Sequence, residues 1–98
     1  MVRHICMFKL NEENKAENLA QFVQRAKALD DIEQMLSCQV VCNGADMPQS
    51  NYDVALICDF NTKEDLDAYQ VHPIHKAFGA FVGQVRKERA CIDFVVEE

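Results

Sequence analysis

The chain has no tryptophan, three glycines and only two prolines. So little Gly and Pro excludes collagen-like and low-complexity architectures, and a 49% share of hydrophobic residues excludes a disordered chain. No apolar run approaches the roughly 20 residues that a bilayer-spanning helix needs. Nor is a secretory leader expected, because Met1-Val2 runs directly into a strand-like segment. Basic residues are scarce, 10 against 16 acidic, for a formal net charge of −6 and a pI near 4.9. That deficit argues against nucleic acid and against an anionic membrane surface as partners, since both are held by clustered Lys and Arg. The densest basic segment, Arg86-Lys87-Glu88-Arg89, reads as a solvated helix end with its cations near the C-terminus.

Cysteine, by contrast, is plentiful: five in 98 residues, an odd number. With no leader expected, the thiols are read as reduced and the chain as cytoplasmic. Cys6, Cys58 and Cys91 each sit inside an apolar strand, where Cys behaves as a small hydrophobe. Cys38 and Cys42 lie four apart on a strand, about 13 Å, well beyond the ~7 Å Cα limit for a bridge. A zinc site from His4, His72 and His75 would lack a suitably spaced thiolate or carboxylate, so no metal and no cofactor are expected.

Residues 1–98 have the size of one domain. In residues 2–10, Val2, His4, Cys6, Phe8 and Leu10 alternate with Arg3, Ile5, Met7 and Lys9, a strand with two partly apolar faces. Asn11 caps a helix whose apolar stripe runs from Ala16 to Leu29. Residues 37–43 and 52–60 read as the second and third strands, with a loop around Pro48 between them. Thr62-x-x-Asp65 opens a second helix, interrupted at Pro73 and resumed from Ile74 to Val85. Residues 90–96 make the last strand. The order is β-α-β-β-α-β, a ferredoxin-like α+β subunit whose antiparallel sheet carries both helices on one face. The bare face holds Ile5, Met7, Ala55 and Ile57, an apolar patch that a homodimer would cover sheet to sheet.

Chemistry concentrates at Tyr69-x-x-His72-Pro73-x-His75. Pro is favoured at the first helical position, so His72 caps the resumed helix and His75 stands in its first turn. There the helix dipole and burial both oppose the imidazolium, leaving a neutral ring able to accept a proton, with the Tyr69 hydroxyl nearby as a donor. The plainer alternative has His72 capping, Tyr69 packing and His75 bonding a loop carbonyl. His4, inside an apolar row, needs a polar partner, either structural or a ligand. Gly79 and Gly83 inside the resumed helix signal either close approach of another element or space for a ligand beside Phe78.

These segments together resemble the stress-responsive dimeric alpha-beta barrel (Dabb) family: His4-Ile5-Cys6-Met7-Phe8-Lys9, Tyr52-Asp53-Val54-Ala55-Leu56, Ala68 through His75, and Cys91-Ile92-Asp93-Phe94. The resemblance implies a dimeric α+β barrel and a stress-related role. Among similar plant polyketide cyclases, the tyrosine and last histidine of Y-x-x-H-P-x-H act on substrate, which would make Tyr69 and His75 catalytic here. It also implies a pocket lined by His4, Cys6, Phe8 and Leu56 from the sheet side. Phe22, Val23, Ala26, Phe78 and Cys91 would complete the lining. Ala26 is smaller than the aromatic such a cyclase carries there. Three functions compete: a binder of a small apolar or aromatic molecule, a cofactor-free lyase or cyclase of aldol type, and a cofactor-free monooxygenase.

Overall fold

Alternation in β1 (Val2–Leu10) sets the two faces of the sheet. His4, Cys6, Phe8 and Leu10 are buried under the helices, while Met7 on the opposite face is exposed. A computed structural model describes residues 1–97. It places β2 (Met35–Cys42), β3 (Val54–Phe60) and β4 (Arg86–Val95) with β1 in the antiparallel order β2-β3-β1-β4. β3 repeats the alternation of β1 in register, with Cys6 opposite Leu56 and Ile5 opposite Ile57. The two central strands therefore present one continuous apolar row to the helices.

Three helices cover that row: α1 (Lys15–Ala26), α2 (Lys63–Val71) and α3 (Pro73–Val85), with a 3-10 turn over Lys27–Asp31. Phe22 of α1 joins Phe8 and Phe78, with ring centroids 5.4 and 5.1 Å away. Leu29, Ile32, Leu66, Val82 and Val85 close the same core. Thr62 caps α2 by accepting from the Asp65 N–H at 3.1 Å. His72 caps α3 as expected, its Nδ1 accepting from the Ile74 N–H at 3.1 Å with Pro73 at the first helical position. No helix among the described residues is long and apolar enough to cross a membrane.

Several local expectations are corrected. Asn11 does not cap α1; its N–H bonds the Val85 carbonyl, and Asn14 in a left-handed conformation (φ 56°) precedes the helix. Asn tolerates that conformation better than most residues. The second strand begins at Met35 rather than Ser37, and the third at Val54 rather than Tyr52. The largest change is at β4. Arg86-Lys87-Glu88-Arg89 is strand, pairing with Phe8, Lys9 and Leu10, not a solvated helix end. Backbone pairing to β1 decides the conformation there, which local charge does not report.

The expectation of five reduced thiols also fails. Cys6 and Cys91 stand directly opposite each other on β1 and β4 and are joined as a disulfide, leaving Cys38, Cys42 and Cys58 free. Their separation of 85 residues hides from the sequence that they are nearest cross-strand neighbours. A cytoplasmic assignment accordingly loses the support it drew from reduced thiols.

Candidate functional site

The Y-x-x-H-P-x-H segment spans the junction of α2 and α3, and Pro73 bends it over the sheet. Tyr69, at the end of α2, is fully buried, and its ring centroid lies 4.3 Å from that of His75. The His4 ring lies 6.1 Å from that of Tyr69, edge to face. Among the described residues no oxygen or nitrogen partner meets the Tyr69 hydroxyl, and the Cys58 thiol is its nearest polar neighbour in effect. Burial pushes its pKa well above that of a free phenol, so it remains a protonated donor.

His75 is half-buried, and its Nδ1 lies 3.2 Å from the Gln70 carbonyl. A carbonyl can only accept, so Nδ1 carries the proton and Nε2 of the neutral ring keeps its lone pair. Burial lowers the His75 pKa below 6.5, and the charges of His4, Arg89 and His72 act in the same direction. The Gln70 carbonyl opposes this shift. The ring is thus a neutral base with a fixed tautomer. The plain reading, a histidine bonding a loop carbonyl, and the chemical one describe the same geometry.

His4 finds its partner in Asp93, directly opposite on β4, whose carboxylate pairs with Nδ1. Pairing at Nδ1 leaves Nε2 for a second partner. Lying 89 positions apart, the two residues are joined by no local sequence pattern.

A cavity of about 160 Å³ opens between the sheet and α3. It reaches both Tyr69 and His75. His4, Cys6, Phe8 and Leu56 form its sheet side, with Phe78 and Val82 of α3 opposite. Gly79 and Gly83 also line it, and a Cβ built at either would meet nothing within 4 Å. Close approach of another element therefore does not explain these glycines; open space does. Four expected lining residues lie elsewhere. Phe22 is fully buried in the core, while Val23 and Ala26 border a separate groove with Cys38 and Val40. Cys91, exposed on β4, is bonded to Cys6 and does not line the cavity. In exchange the cavity gains Arg86 and Arg89, which the sequence reading missed.

His4, Cys6 and Cys91 bring donor atoms within 4.8 Å of one another. With the two sulfurs bonded to each other, neither is the thiolate that zinc binds. His72 is committed to its cap and takes no part in such a group.

The stress responsive A/B barrel domain model, Dabb, matches residues 2–96. The chain belongs to the Dabb family. A stress-response A/B barrel domain-containing protein of Arabidopsis thaliana, DABB1, is 25% identical over 101 residues. That match takes in all of this chain but 48% of the relative, so the chain spans about half its length. A dimeric protein of unknown function with a ferredoxin-like fold, from Bacteroides fragilis, is 30% identical with a TM-score of 0.83. The match covers 95% of this Dabb chain and 93% of that one. The hydroxynitrile lyase of Passiflora edulis superimposes with a TM-score of 0.83 at 15% identity, covering 99% and 94%, a likeness of fold alone.

Proposed function

We propose that this Dabb chain forms a homodimer through its open sheet face and binds a small aromatic or apolar molecule in the cavity under α3. One observation carries the reading: a cavity with apolar walls whose polar lining includes two side chains of defined state, neutral His75 and protonated Tyr69. Binding sites have this composition, apolar walls for affinity and a few polar groups for orientation. The volume suits one ring, since an apolar cavity of about 150 Å³ admits benzene. Benzyl alcohol titrated into labelled protein should shift the resonances of His75, Tyr69 and Phe78. Gly79→Leu, which grows a side chain from the cavity lining, should suppress those shifts. Unmoved cavity resonances in the wild type would overturn the reading.

The His75 tautomer favours a second, catalytic reading of the same site. Nε2 would accept a proton from carbon next to a ligand carbonyl, and the Tyr69 O–H would donate to the developing enolate oxygen. The atoms balance without a cofactor: the proton moves to His75 and returns to the product. Acetophenone in D₂O provides a test, because enolisation exchanges its methyl protons for deuterium. Exchange above the buffer rate that falls by about 10² or more in His75→Gln is the expected result for a general base. Exchange at the buffer rate leaves binding as the function.

A further inference from the structure

Arg86 and Arg89 are three positions apart on β4, so regular alternation would send them to opposite faces of the sheet. They do not go there. The β1–β4 register shifts between Lys9 and Leu10, pairing Phe8 with Arg89, Lys9 with Glu88, and Leu10 with Arg86. Lys87 is the extra residue of this bulge. Phe8 and Leu10 both belong to the helix-covered face, so the bulge brings both arginines to that face and to the cavity. Bulges commonly re-aim side chains in this way beside functional sites.

The electrostatics of the cavity are the reverse of those of the whole chain. Sixteen acidic residues outnumber 10 basic ones overall, yet the lining contains two arginines and, among the described residues, no Asp or Glu. Among the described residues neither arginine has a salt-bridge partner. Asp93, further along β4, is engaged by His4. The charge of Arg89 is felt at both His75 and Tyr69. Unpaired guanidinium groups at one end of an apolar cavity match a ligand with a carboxylate on a hydrophobic body.

We infer that the cavity selects a small monocyclic carboxylate, its ring between Phe8 and Phe78 and its carboxylate held by Arg86 and Arg89. This rests on the binding reading above and adds the chemical class of the ligand. Guanidinium forks donate to both oxygens of a carboxylate, an acceptor pair that a neutral alcohol of the same shape lacks.

Three probes test this by calorimetry and thermal shift at matched ionic strength: benzoate, benzyl alcohol and inorganic phosphate. Benzoate should bind about tenfold more tightly than benzyl alcohol, a difference of ~1.4 kcal/mol. The preference should shrink in Arg86→Gln/Arg89→Gln and with added salt, while benzyl alcohol affinity stays constant. The salt series on wild-type protein stands even if the double variant folds poorly. Equal binding of benzoate and benzyl alcohol overturns the carboxylate assignment and leaves the cavity reading intact. Phosphate binding as tightly as benzoate also overturns it, reducing the arginines to a general anion patch. Binding of none of the three overturns the cavity reading itself.

Discussion

Tyr69 and His75 meet across the α2–α3 break with ring centroids 4.3 Å apart. One ring is tied to a backbone carbonyl, and the other carries a buried hydroxyl without an oxygen or nitrogen partner among the described residues. An unsatisfied buried hydroxyl costs roughly 1–3 kcal/mol, a cost that a protein acceptor would have offset. Tyr69→Phe should therefore leave stability unchanged or raise it by about 1 kcal/mol in urea denaturation. The same change should weaken binding of any ligand that satisfies the hydroxyl. A loss of more than about 1 kcal/mol would show that the hydroxyl already has a partner in the folded chain.

Gly79 and Gly83 extend the same logic along α3. Each costs about 1 kcal/mol in a helix interior relative to Ala, and each has room for a methyl group. Gly79→Ala and Gly83→Ala should each raise stability by up to that amount while narrowing the cavity. Thermal melts with and without benzyl alcohol separate the two effects: a higher melting temperature alone, but a smaller ligand-induced shift. Destabilisation by either change would mean that the space is not available.

Much of this arrangement is legible in the chain. Period-2 alternation assigns His4, Cys6 and Phe8 to the helix face and Ile5 and Met7 to the other, as observed. The His72-Pro73 pair marks the start of α3, and spacing alone brings Tyr69 and His75 together. Residues the reading missed or misplaced share a physical cause. Cys6 with Cys91, and His4 with Asp93, are fixed by the β1–β4 register, a pairing between opposite ends of the chain that no local pattern encodes. Arg86 reaches the cavity only through a bulge, which breaks the alternation on which a strand reading depends. The family resemblance put Phe22 at the cavity, but Phe22 lies in the core, and its place on the apolar stripe of α1 fits core and cavity wall equally.

The Cys6–Cys91 bridge closes a loop spanning 85 positions. Cross-linking so long a loop restricts the unfolded chain, a stabilisation typically of about 2–4 kcal/mol. Protein unfolded without reductant should titrate three thiols, and five after reduction. Cys91→Ser should lower the denaturation midpoint by a corresponding amount. Five reactive thiols in the unreduced, unfolded protein would refute the bridge.

The open sheet face exposes Met7, Val41, Ile92 and Phe94. Ile92 is 60% accessible in the subunit, so Ile92→Asp should barely affect the folding of one chain. Within a sheet-to-sheet dimer it would bury an unpaired charge, as would Ile57→Asp, with a strongly destabilising effect. Sedimentation at micromolar concentration should give dimeric wild type and monomeric variants. A monomeric wild type would rule out assembly through this face.

His75 links the site to pH. Burial is the main cause of its lowered pKa, reinforced by His4, Arg89 and His72 and opposed by the Gln70 carbonyl. Between its folded value and the unfolded 6.5, the unfolded chain binds more protons than the folded one. Stability should therefore rise with pH through this window. The His75 contribution is fully present above the unfolded pKa and is lost as pH falls through the folded value. Denaturation midpoints across pH 5 to 8 (roughly the range in which histidines titrate) should show this slope, and His75→Gln should flatten it. NMR titration of the three histidines gives the microscopic check. His75 should titrate below 6.5, and a benzoate carboxylate held nearby should move it upward, because an anion favours the imidazolium. A His75 that titrates at or above 6.5 without ligand would remove the neutral base on which the catalytic reading depends.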